Sequence, residues 1–259
     1  MAGPPGIPRA GVTRRETGLM GNSAPGPADG PSRLRSFDPG RIADLEYRAW
    51  VAYYRRQWLQ VLTAAVGLVH AGFGLDWRRT LHGAWLVLRA NQLWAPASDN
   101  DPAGASRCMR RFYALVRLTY GEPQDPAEAA RLEVDWWRAH RERQRGVVPS
   151  RAGEPGAGAG EPGSGSEEPG SGSEEAGAGE TGAGKSSDEL VDAVTRLYAF
   201  LYREPESAVR PAAAHRARAM EISDQWVAEG CHPDSPLLPQ EHAALVRSYA
   251  ALLAAVHHA

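Results

Sequence analysis

DPAEAARLEVDWWRAHRERQR, residues 125–145, decides how this chain is read. Asp125 followed by Pro126 sets a side-chain acceptor ahead of a residue whose fixed φ and missing N–H suit the first helical position. Glu128, at the third helical position, completes the pattern of a capping box. A helix over about 126–145 is expected. On a wheel of about 100° per residue, Glu128, Arg131, Asp135, Arg138, Arg141 and Glu142 gather on one side. Leu132, Trp136, Trp137 and Ala139 lie toward the other.

The same punctuation recurs outward from this stretch. Asp38-Pro39 opens a long helix expected over 39–71, with Tyr47, Trp50, Tyr54, Trp58, Val61 and Leu68 at helical spacing. A second helix follows over 77–94. Asp101-Pro102 starts a third, ending near Tyr120-Gly121, with Cys108, Met109, Phe112, Leu115, Val116 and Thr119 on its core side. Toward the C-terminus, helices are expected over 188–202, over 206–229 with Gly230 as the stop, and over 239–256. No stretch alternates apolar and polar residues as a half-buried strand would. The expected fold is all-α.

Between the two helical halves the pattern breaks. EPGSGSE occurs at 161–167 and again at 168–174, and residues 147–186 hold seven Glu among Gly, Ser and Ala. Such a composition cannot bury a core and reads as a flexible acidic linker. Residues 1–36, rich in Gly and Pro, read as a disordered tail. The domain reading is therefore a tail over 1–36, four helices over 37–146, the linker over 147–186, and three helices over 187–259. Three helices are marginal alone. A single composite bundle of about seven helices, with the linker as a long insertion, is expected.

Charge and composition exclude several classes. Lys plus Arg is 29 against 31 Asp plus Glu, so a net charge of -2 does not point to nucleic acid. Lys185 is the only lysine, as in a high-GC bacterial genome. Residues 41–146 carry 16 Arg and 11 acids, and residues 187–259 carry 6 Arg and 10 acids, so opposite signs favour contact between the halves. Cys108 and Cys231 form neither a disulfide framework nor a zinc motif. The N-terminus lacks the apolar segment of a secretory signal. The apolar run 61–75 is too short to span a bilayer and reads as a buried helix. Cytoplasmic location without membrane insertion is the expectation.

Two constellations bear on chemistry. Residues 179–186 read GETGAGKS, so Gly179, Gly184, Lys185 and Ser186 resemble the Walker A loop of P-loop NTPases. That family presents the loop from a buried strand, and SGSEEAGAGE ahead of Lys185 can form none. The match reads as a decoy, and no cofactor is expected from it. The second constellation is buried charge. Glu133 and His140 are seven apart and project into the tryptophan side of their helix, where a bare charge is costly. His215 shares a face with Ala219, Ile222 and Trp226, and Glu46 sits beside Trp50 and Tyr53. Glu46, Glu133, His140 and His215 could converge as metal ligands in the bundle. The E-x6-H spacing is similar to one in haem-oxygenase-like di-iron oxidases, which would imply iron or manganese. Bare packing assigns the same groups to buried Glu–Arg or Glu–His pairs.

Helical stripes of arginine on 77–94 and 102–120 read as solvated faces. The functional expectation is a non-enzymatic protein acting through a protein partner, with a metal-dependent oxidase or oxygenase as the alternative and a P-loop NTPase third.

Overall fold

The computed structural model describes residues 33–96, 99–147 and 178–257, without side chains at 33, 146–147 and 178–186. Most of the expected tail over 1–36 and of the linker over 147–186 lies outside the described residues. Among those described there are eight α-helices, one short 3-10 turn at Arg33–Arg35, and no strand. The helices are α1 (Pro39–Tyr54), α2 (Trp58–Phe73), α3 (Trp77–Trp94), α4 (Pro102–Tyr120), α5 (Pro126–Val147), α6 (Ala178–Tyr202), α7 (Glu206–Ala228) and α8 (Leu237–Val256).

The Asp-Pro signals cap as expected. Asp38 accepts from the Arg41 N–H at 3.0 Å, and Asp101 accepts from the Gly104 N–H at 2.7 Å. Asp76 does the same for α3 through the N–H groups of Arg78 and Arg79, both at 3.1 Å.

The helix expected over 39–71 is two helices. Arg56 takes a left-handed conformation at φ 58°, the Arg56 N–H reaches Tyr53 O, and the Gln57 N–H reaches Ala52 O. This is the Schellman closure that usually employs glycine. The apolar period runs on across the break, so spacing alone predicts one rod. The bundle therefore has eight described helices where about seven are expected. Toward the C-terminus, α6 begins at Ala178, earlier than the expected 188.

Residues 31–259 form one compact unit. Each helix packs on its neighbours in sequence, and α1 packs on α8, which closes the series into a ring. One core runs through α2 to α5 around Val69, Leu86, Phe112 and Trp137. Two others join α1 to the C-terminal helices, around Leu190, Met220 and Leu252 and around Trp226 and Leu245. Ile42 and Ala43 of α1 belong to these latter cores. Thus α1, which precedes the linker, is built into the half that follows it.

Candidate functional site

Two polar centres occupy the bundle interior, and both are closed by the protein's own groups. The first is Arg216 on α7. Its two terminal nitrogens donate to both oxygens of Glu46 on α1, one at 3.0 Å, and Nη1 also donates to the Tyr249 hydroxyl at 3.1 Å. Tyr249 in turn donates to Glu46. The guanidinium carbon lies 5.5 Å from the centre of the Trp136 ring. Burial opposes the charge on Arg216, but the Glu46 carboxylate overrides it and holds the guanidinium well above its ordinary value. Glu46 is 3% exposed, so the pair is a buried, bidentate ion pair.

The second centre is Asp224, also on α7. It accepts from three groups of α5: Arg143, Gln144 Nε2 at 2.7 Å, and His140 Nε2 at 3.2 Å. These contacts tie α5 to α7 across the bundle. Glu133, two turns before His140 on α5, accepts from the Tyr113 hydroxyl at 2.7 Å. Burial pushes its carboxyl up, against the lowering effect of hydrogen bonds from Tyr113, Trp136 and Trp137 and of the Arg216 charge.

The four residues considered as metal ligands thus go to different places. Glu46 is committed to Arg216, Glu133 to Tyr113 and His140 to Asp224, while His215 lies half-buried on α7 outside both centres. Among the described residues no three His, Cys, Asp or Glu side chains come together as a group that could hold a metal ion. Glu46 is met by an arginine and Glu133 by a phenol. The Walker-like stretch Gly179–Ser186 has a helical backbone, as part of α6, where a phosphate cradle requires a loop.

One buried acid has no such partner. Glu241 on α8 is fully buried, and neither carboxylate oxygen has a hydrogen-bond partner among the described residues. Burial, with the nearby Glu46 and Asp224 carboxylates adding repulsion, pushes its carboxyl up to about 8. Glu241, Arg216, Arg143 and Asp224 are residues that sequence reasoning passed over. A signal existed for two of them. Glu241 repeats at three, four and seven residues with buried Ala244, Leu245 and Ser248, and Arg216 sits three, four and seven residues from buried Ala213, Ala212 and Val209.

The cavities are modest. An apolar cleft of about 50 Å³ lies among Phe73, Val116, Leu201 and Tyr202, room for one or two waters. An open depression of about 220 Å³ lies between α4 and α5, with Ser106, Asp135 and Arg138 on its walls.

The outer surface holds the unusual feature. α2 reads WLQVLTAAVGLVHAGF and contains no Asp, Glu, Lys or Arg, yet only Ala64, Ala65 and Val69 of it are buried. The run 61–75, expected to be a buried helix, is mostly half-buried: Ala64, Ala65, Val69 and Leu75 are buried, and Leu62 and Thr63 are exposed. Leu59 is 80% exposed and Trp58 61%; on α3, Trp77, Leu81 and Trp85 are 61%, 57% and 55% exposed. These last three are four apart and form one stripe. Trp77 stacks on His70 at 4.5 Å, and Trp58 meets Tyr53 edge-on. The rim is cationic: Arg55, Arg56, Arg78, Arg79 and Arg89 are exposed. Between 51 and 96 the only acid is Asp76, which caps α3 and pairs with Arg79 at 2.8 Å.

Compared with models of known protein families, with curated proteins and with solved structures, the chain matches none of them.

Proposed function

We propose that this chain is a non-enzymatic docking protein whose working surface is the exposed apolar face of α2 and α3. It acts through a partner that is apolar at its centre and anionic at its margin. The observation that carries this reading is the uncharged helix α2 with Leu59 and Trp58 standing in solvent beside the Trp77–Leu81–Trp85 stripe. Large apolar side chains left exposed on two successive helices are the mark of an interaction surface. Tryptophan and arginine are also the side chains that dominate binding energy at interfaces.

The interior supports the same reading. A catalytic carboxylate or imidazole needs a free lone pair or proton facing a substrate. Glu46, Glu133, His140 and Asp224 instead spend theirs on fixed protein partners, and Glu241, which has none among the described residues, is fully buried away from solvent. The sequence reading anticipates a protein as the partner. A photo-crosslinking amino acid at position 81 should give an adduct in cells of the source organism, and one at exposed Ser207 on α7 should give none. Absence of any adduct at 81 would sink the docking reading.

A further inference from the structure

The docking face is described by three properties at once: what projects from it, what rims it and what it lacks. At 80% exposure for Leu59 and 61% for Trp58 and Trp77, most of each of these side chains faces solvent. A partner helix docks into a groove between ridges; of the two clefts described above, one is lined by Leu34, by Phe73 of α2 and from α4 to α6, and the other from α4 and α5, and neither includes Trp58, Leu59, Leu81 or Trp85. Projecting apolar side chains suit a fluid apolar medium that closes around each of them.

The rim selects among occupants. A second copy of the chain would bring Arg78, Arg79 and Arg89 against their own equivalents, with Asp76 already taken by Arg79. Residues 149–177 of the chain itself are acidic but contain no Leu, Ile, Val, Met or aromatic residue, so they cannot cover tryptophan. Tryptophan at the apolar boundary, with arginine beside it for phosphate, is the pattern of proteins that lie at a membrane–water interface. Among the described residues no single helix is long and apolar enough to cross a membrane, but α2 and α3 taken together, bent by 119°, reach the hydropathy and length of such a segment. With Trp58, Leu59, Leu62, Trp77, Leu81 and Trp85 exposed, this bent pair has apolar side chains to offer the surface of a bilayer.

We infer that the α2–α3 face seats on an anionic phospholipid surface. The six exposed Trp and Leu side chains of α2 and α3 enter the boundary between headgroups and acyl chains, and the five rim arginines meet the phosphates. This rests on the docking reading above and names its partner. Arg89 continues the Trp77–Leu81–Trp85 stripe by another four residues, so the stripe ends at headgroup level. Arg55 and Arg56, in the turn before Trp58, hold the opposite margin of the face.

The test uses the full chain and sedimenting vesicles of phosphatidylglycerol and phosphatidylcholine in equal parts, against pure phosphatidylcholine. At about 0.1 M salt, where charges are felt over roughly 10 Å, the protein should sediment with the anionic vesicles and not with the zwitterionic ones. Its tryptophan emission should shift to the blue as it does so. Each arginine near an anionic surface is worth about fivefold in binding, so R78Q/R79Q should weaken binding roughly 25-fold. L59S/L81S should abolish it. All four positions are exposed, and an unchanged circular dichroism melting curve shows that the variants are folded. Failure to sediment with anionic vesicles, or equal sedimentation of either variant, overturns the lipid inference. A protein adduct from the crosslinker at 81 without vesicle binding overturns it too, while leaving the docking reading intact. Neither adduct nor vesicle binding removes both.

Discussion

Replacing Glu241 by glutamine should make the protein more stable at neutral pH. Glu241 is fully buried on α8, neither oxygen has a partner among the described residues, and its carboxyl is pushed up to about 8 by burial and by Glu46 and Asp224. In the unfolded chain the same carboxyl titrates near its ordinary 4.5. Between those two values the folded protein holds a proton that the unfolded chain has released. Each pH unit in that window then removes about 1.4 kcal/mol of stability, and the full contribution is present only below about 4.5. At pH 7 the accumulated penalty is roughly 3 kcal/mol. Glutamine keeps the shape and cannot titrate, though its buried amide brings unpaired donors that cost about 1–2 kcal/mol. The net expectation is a gain of about 1–2 kcal/mol at pH 7. Below about pH 5 the two proteins should be equal, or the natural one the more stable. Urea unfolding from pH 5 to pH 7.5 tests this, because the difference between the two proteins should grow by about 3 kcal/mol across that range. Parallel curves would refute the reasoning, since they would mean that Glu241 is ionised in the folded protein or reaches solvent.

Two further outcomes follow from the fold. Arg216→Met should cost about 3–5 kcal/mol in urea unfolding because it strands the Glu46 carboxylate in the core, and adding Glu46→Met should recover most of the loss; a double variant no better than the single would show that the arginine stabilises by packing on Trp136. Arg56→Gly should raise stability by up to about 1 kcal/mol, measured as a higher melting temperature, because glycine takes the left-handed φ at little cost where arginine does not.

Much of the helix inventory is written in local signals, and local signals survive folding. Asp38-Pro39, Asp101-Pro102 and Asp125-Pro126 act within a few residues of themselves, so the starts of α1, α4 and α5 are legible before any packing is known. The core side of α4 is equally local: Met109, Phe112 and Val116 are buried as their spacing implies, and Arg107, Arg110, Arg111 and Arg117 are exposed. The break after Tyr54 is local too, but it rests on an arginine adopting glycine's conformation, and the apolar period on both sides hides it. For Glu46, Glu133 and His140, the expense of burying them bare was legible, and so was the need for a compensating partner. Which partner each one takes was not. Glu46 meets Arg216 170 residues away, and His140 meets Asp224 84 residues away. Pairing over such separations depends on how the ring of helices closes, with α1 set against α7 and α8.

The same limit applies to the α2–α3 face. The sequence by itself determined that α2 is apolar and uncharged, and that arginines flank it. Only the tertiary structure decided that, among the described residues, no other helix covers Trp58, Leu59, Leu81 and Trp85. Hydrophobicity is a property of a side chain, whereas burial is a property of its neighbours, and those neighbours are fixed when the helices pack.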